Sequence, residues 1–156
     1  MNYLDTRDLY KRQEELKWEL EGLQSLLEEA GEQYTEACDA LQYDKTADAV
    51  EAKDEAEIAL QEATSALADW QEENQAELDE LNALEREVGR EWMHGETLIP
   101  ESEFVSYTQE LADIIGATAG DGSSWLVIDG EATAEGLKQD YSEAEFQGTT
   151  YLFRAN

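Results

Sequence analysis

Positive charge is the first thing this sequence lacks. Ten Lys and Arg stand against 39 Asp and Glu in 156 residues, a formal net charge of −29. A surface of that sign is repelled by phosphate backbones and anionic lipid headgroups over a Debye length of about 10 Å at 0.1 M salt. Direct binding of DNA, RNA or a membrane surface is therefore excluded. Long hydrophobic runs are missing too: no stretch approaches the roughly 18 apolar residues of a membrane span. The N-terminal MNYLDTRDLYKR has no apolar leader core, so a cytoplasmic location is expected. One cysteine, Cys38, cannot close an internal disulfide, and its place in a helical pattern reads as a small buried apolar residue. One histidine, His94, leaves too little to build a zinc site or a Ser/His or Cys/His nucleophile pair. A Gly-rich phosphate cradle is missing, and Asp121-Gly-Ser-Ser124 lacks the alternating oxygen ligands and terminal Glu of a calcium loop. Carboxylates are so abundant that no pairing among them points to general acid–base chemistry. The expectation is a protein that is not an enzyme and needs no cofactor or metal.

High net charge with few apolar residues would indicate disorder, but apolar types make up 41% of this chain, with four Trp and seven Tyr. The apolar residues are also periodic. Leu9, Leu16, Leu23, Ala30 and Ala37 recur every seven residues, interleaved with Leu20, Leu27, Tyr34 and Leu41, and only Gln13 interrupts them. That 4-3 spacing is a coiled-coil seam on a long first helix. Gly22 and Gly31 each cost up to about 1 kcal/mol relative to Ala, so packing rather than propensity must hold the helix.

The pattern breaks over Gln42 to Thr46, and a second stripe of small residues follows at Ala49, Ala52, Ala56, Ala59, Ala63, Ala66 and Trp70. So short a connection makes the two helices antiparallel neighbours. Beyond Trp70 the apolar positions move to Leu78, Leu81, Glu85 and Val88, which predicts a slip in register and a bend or fraying near Gln71 to Gln75. The second helix is expected to end near Val88 to Trp92.

Helical signals stop at His94-Gly95, and Pro100-Glu101-Ser102 opens a shorter amphipathic helix carrying Phe104, Tyr107, Leu111 and Ile114 or Ile115, closed by Gly116. Ala117 to Ser124 reads as a loop, Trp125 to Ile128 as a short buried strand, and Asp129 as the cap of a helix to about Gln139 with Ala134 and Leu137 facing inward. Gln147-Gly148 between Glu143–Phe146 and Thr149–Phe153 is a two-residue hairpin turn. The expected fold class is mainly α: a long antiparallel coiled-coil helical hairpin over 1–92, then a small α+β C-terminal domain over 93–156 ending in a β-hairpin.

The acids lie in blocks without bases. Asp54 to Glu85 holds 11 acidic residues and no Lys or Arg, Trp18 to Asp44 holds 8 and none, and Glu91 to Gly136 holds 10 and none. An ordinary antiparallel coil alternates acids and lysines, and like charges at these spacings repel. Some acids share a lane: Asp48, Glu55, Glu62 and Asp69 on one edge of the second helix, Glu14, Glu21 and Glu28 on one edge of the first. Duplex DNA carries one charge per about 1.7 Å, so the net charge matches roughly 50 Å of duplex, near the length of the hairpin. Two readings remain open on these residues, a recognition surface that imitates DNA and a solvated acidic surface.

His94-Gly-Glu-Thr-Leu-Ile-Pro-Glu-Ser-Glu-Phe104, Tyr107, Glu110-Leu-Ala-Asp113, Ile128-Asp129, Leu137-Lys-Gln-Asp-Tyr141, Phe146, Gly148, Tyr151 and Arg154 resemble the C-terminal part of ArdA-type antirestriction proteins and related small phage proteins. The resemblance covers residues 94–154 and rests on spaced aromatics and acids. It implies a phage or mobile-element anti-defence protein that acts in the host cytoplasm as an acidic DNA mimic. The expected partner is the basic DNA-binding channel of a restriction enzyme or a CRISPR effector. The contacting acids are expected to be Glu55, Glu62, Asp69, Glu72, Glu73, Glu77, Asp79 and Glu80. The alternative is a coiled-coil structural or assembly protein. The two seams either satisfy each other or leave a stripe for another chain, so a homodimer is among the expected partners.

Overall fold

The computed structural model describes residues 2–119 and 135–154, the side chains of 112–119 excepted. In chain order it contains β1 (Leu4–Asp5), α1 (Thr6–Tyr43), α2 (Ala47–Val88), a 3₁₀ turn (Gly89–Trp92), β2 (Thr97–Pro100), a second 3₁₀ turn (Glu101–Glu103), α3 (Phe104–Ala119), β3 (Tyr141–Phe146) and β4 (Thr149–Arg154). A long helical hairpin is thus followed by a small domain with an antiparallel sheet. Contacts divide the chain into two compact units, and the division does not fall between residues 92 and 93. One unit joins Met1–Arg12 to Glu80–Asn156, and the other is the distal hairpin, Gln13–Asp79.

In the first unit the sheet order is β1-β2-β4-β3, every pair antiparallel. The N-terminus belongs to this unit because Leu4 and Asp5 pair with Leu98 and Thr97. Thr6 locks the junction: its N–H donates to the Glu96 carbonyl at 3.0 Å, and its hydroxyl accepts from the Glu96 N–H at 2.7 Å. The same hydroxyl reaches the Glu91 carbonyl at 3.3 Å, so a fully buried polar group is fully satisfied. Asp5 caps α1 by accepting from the Arg7 N–H at 2.9 Å, and the Arg7 guanidinium bonded to it holds its carboxyl below the usual carboxylate range. Gly95 has φ +98°, and a Cβ there would lie 2.6 Å from Arg7 Nε, so only glycine fits without displacing that pair.

Leu98, Ile99 and Pro100 of β2 and Leu152 and Phe153 of β4 are all buried. Successive strand residues point to opposite faces, so both faces of the sheet are covered. On one face Ile99, Leu152 and Phe104 form a cluster against which Tyr3, Val105, Tyr107, Leu137 and Tyr141 pack. The Phe104 and Tyr141 rings meet edge to face at 5.1 Å. Burial pushes the Tyr141 hydroxyl up to about 12, helped by its hydrogen bond with Tyr107. The hairpin turn is as expected, with both Gln147 (φ 49°) and Gly148 (φ 77°) left-handed, the primed geometry that matches strand twist.

Two expectations change here. Residues 97–100 are a strand rather than the approach to a helix, because Ile99 and Pro100 pair with Leu152 and Tyr151. Gly116 does not end α3, which runs on to Ala119; one interior glycine costs only about 1 kcal/mol, and two of the three residues after it are alanine. The expected strand Trp125–Ile128 and the cap Asp129 lie outside the described residues. Residues 135–138 form a helical turn, from which Lys138 reaches Glu101 at 2.6 Å and Glu143 at 3.7 Å.

In the distal hairpin α1 and α2 are joined by Asp44–Thr46. Thr46 caps α2, its hydroxyl accepting from the Ala49 N–H at 3.3 Å, while Asp44 accepts from the Thr46 N–H at 3.2 Å. The first seam lies where the heptads predict it. Gln13, however, does not interrupt it: the side chain is fully buried in the seam beside Leu16. The second seam differs from expectation. The covered or half-covered positions of α2 include 49, 53, 56, 60, 63, 67, 70, 74 and 77, a 3-4 alternation through Lys53, Leu60 and Leu67 that continues at 81, 84 and 88. Beside it Glu57, Ala59, Gln75, Leu78, Asn82 and Glu85 are covered too, Leu78 most deeply. Ala52 and Ala66 are exposed. Beyond Trp70 the expected positions are covered, Leu78 and Leu81 buried and Glu85 and Val88 half-buried, but α2 does not fray near Gln71–Gln75 and is one helix from Ala47 to Val88. Burying Leu60 and Leu67 removes far more apolar area from water than burying alanines one lane away, at about 0.8 kcal/mol per CH₂.

Candidate functional site

The corrected seam fixes which acids face solvent. On α2, Glu55, Glu62 and Asp69 stand seven residues apart on one lane, spanning about 21 Å. Glu72 and Asp79 occupy the neighbouring lane, and Glu73 and Glu80 the lane on its other side, each roughly 50° around the helix from the first. All seven are exposed, and among the described residues none is in an ion pair; Asp79 accepts from Gln75 Nε2 at 2.9 Å. Glu77 is different. It falls on the seam, is half-buried and has a partner, so it does not belong to the exposed acidic flank.

The acids of α1 are treated less uniformly. Glu14 pairs with Lys17 at 3.4 Å, whereas Glu21 and Glu28 on the same lane are exposed. Glu19 accepts from the indole N–H of the buried Trp70 at 2.9 Å, a charge-assisted bond that ties the two helices.

Between the helices runs a groove that the spacing of the residues does not predict. Two adjoining cavities of about 420 and 560 Å³ share Gln33 and Ala59 in their walls. The first is lined by Leu26, Glu29, Ala30, Gln33, Ala59, Glu62, Ala63 and Ala66. The second is lined by Gln33, Glu36, Ala37, Ala40, Ala52, Glu55, Ala56 and Ala59. Ala30, Ala37, Ala56 and Ala63 are seam residues and form the floor. The alanines first read as half of the second seam, Ala52, Ala59 and Ala66, form a wall. Glutamates line both sides, Glu29 with Glu62 in one cavity and Glu36 with Glu55 in the next.

His94 is exposed in the turn after α2, where its backbone N–H donates to the Glu91 carbonyl at 3.1 Å. Cys38 is half-buried next to Tyr34, whose hydroxyl it holds above the usual tyrosine range through their hydrogen bond. Among the described residues no group of three or more His, Cys, Asp or Glu is placed to hold a metal ion, and no helix is long and apolar enough to cross a membrane. No family model, curated protein or solved structure matches the chain.

Proposed function

We propose that this chain is a non-enzymatic inhibitor from a phage or mobile element that imitates DNA, occupying the Lys/Arg-lined DNA channel of a host defence protein such as a restriction enzyme or a CRISPR effector. The observation that carries the reading is the unpaired acidic flank of α2, where Glu55, Glu62, Asp69, Glu72, Glu73, Asp79 and Glu80 face solvent without a compensating base. Mutual repulsion makes such a flank unfavourable in the free protein. A basic channel relieves it, and the carboxylates take the place of phosphates without any sequence to be read. The resemblance of residues 94–154 to antirestriction proteins agrees with this reading, and the defence system met stays at the level of a DNA-binding enzyme.

The test is charge reversal. Glu62→Lys, Asp69→Lys and Glu73→Lys together should abolish inhibition of DNA binding by the captured defence protein while leaving helical content by circular dichroism intact. Capture from host lysate at low salt should be reversed by added duplex DNA and should weaken steeply as salt rises. Unchanged inhibition by the triple variant would sink the reading. An assembly role through apolar packing is favoured by one observation, the exposed Leu26 beside an alanine-lined groove. Complexes indifferent to salt would select it.

A further inference from the structure

The groove of the distal hairpin carries more than charge. Its two cavities are continuous, and from Leu26 to Ala40 it follows α1 for about 21 Å, four turns of helix. The floor is alanine, which lets a facing backbone approach closely, and Leu26 in the wall is 58% exposed. Along the rims the carboxylates come in two facing pairs, Glu29 with Glu62 and Glu36 with Glu55, seven residues apart on each helix. Among the described residues none of the four is in an ion pair.

We propose that this groove docks a basic amphipathic helix of a partner protein, about four turns long, with small or apolar residues on its contact stripe and Lys or Arg seven residues apart on each flank. The docked helix would complete a three-helix coil, covering the alanine floor and Leu26 while its flanking cations meet both rims. A second copy of this chain is the wrong occupant, since it would set its own rim glutamates against these four. The inference rests on the reading of this acidic face as a recognition surface, because Glu55 and Glu62 belong to both, and it names the shape of the partner element that part of the face receives.

The probe is a fluorescein-labelled synthetic peptide of about three heptads, with Leu and Ala on one stripe and Lys at both flanking positions. Fluorescence anisotropy with the full chain at low salt should show saturable one-to-one binding. A scrambled peptide of identical composition, which keeps the charge and loses the stripe, should bind at least about tenfold more weakly. Filling the groove with Gln33→Trp and Ala59→Trp should weaken binding of the first peptide by a similar factor at unchanged net charge. Replacing the four rim glutamates by glutamine should do the same.

Equal affinity for the ordered and scrambled peptides, or no binding of either, overturns the proposal whatever the filled variant does. The variant Asp69→Lys with Glu73→Lys leaves the groove lining untouched and should retain peptide binding. If the triple charge reversal fails to affect inhibition while the ordered peptide still binds selectively, the DNA-mimic reading falls and the groove stands. If the reversal abolishes inhibition but the two peptides bind alike, the groove falls and the mimic stands.

Discussion

In the α+β unit Leu98, Ile99, Leu152 and Phe153 are all buried, because the sheet has cover on both faces. In the distal hairpin Leu20, Leu23, Leu27 and Leu41 stay half-buried, although they occupy their seam without a fault. The difference is one of geometry. A helix in a pair presents one stripe to one neighbour and leaves its flanks wet, whereas a strand in a covered sheet buries both sides. The first unit therefore gains its stability from apolar area, and the second holds a large exposed surface on which acids and a groove can be displayed.

The comparison is sharpest for one substitution made twice. Leu152→Ala, at a site with no solvent exposure, should cost about 3 to 5 kcal/mol, while Leu27→Ala at a half-covered site should cost about 1 to 2 kcal/mol. Urea unfolding of both variants measures the gap, and equal costs would mean that the hairpin is as well packed as the sheet.

A smaller effect separates the units by pH. The Tyr141 hydroxyl sits at about 12 in the folded chain against an ordinary 10.0, so the unfolded chain loses that proton first. Its contribution is fully present below pH 10 and falls away as pH rises from about 10 toward about 12. Thermal melts across that window should show a steep loss of stability that Tyr141→Phe makes shallower. An identical slope in the variant would show that the tyrosine is not the group responsible.

The smallest effect belongs to the hairpin. A Cβ at Gly22 meets nothing within 4 Å, and the position is a helix interior. Gly22→Ala should stabilise the chain by about 1 kcal/mol, read as a rise in melting temperature.

Where the sequence was legible, it was legible through residue size. Leucines at seven-residue spacing place the α1 seam without ambiguity. The α2 seam is only half legible because alanine fills two adjacent lanes, and an alanine-only stripe satisfies the same 3-4 spacing one lane away. Burial follows Leu60, Leu67 and Trp70, while Ala52 and Ala66 stay exposed and, with the half-buried Ala59, form the wall of the groove. The acids of the candidate flank were visible from their spacing, but Glu77 could not be told from its neighbours until the seam was known. β1 and β2 were invisible for another reason: strands of two and four residues carry no usable period, and they exist only because partners distant in sequence satisfy their backbone.

The sequence by itself determined a helical hairpin with a heptad seam on its first helix, a C-terminal β-hairpin closed by Gln147-Gly148, and a dense negative charge. Each of these is written in local spacing, turn chemistry or composition, which require no knowledge of what lies across the fold. Only the tertiary structure decided that the N-terminus is a strand of the C-terminal unit, which alanine lane is buried, and that the other lane and four glutamates frame a groove. Those outcomes depend on which surfaces meet, and alanines in adjacent lanes of one helix carry too little apolar area to choose between them alone.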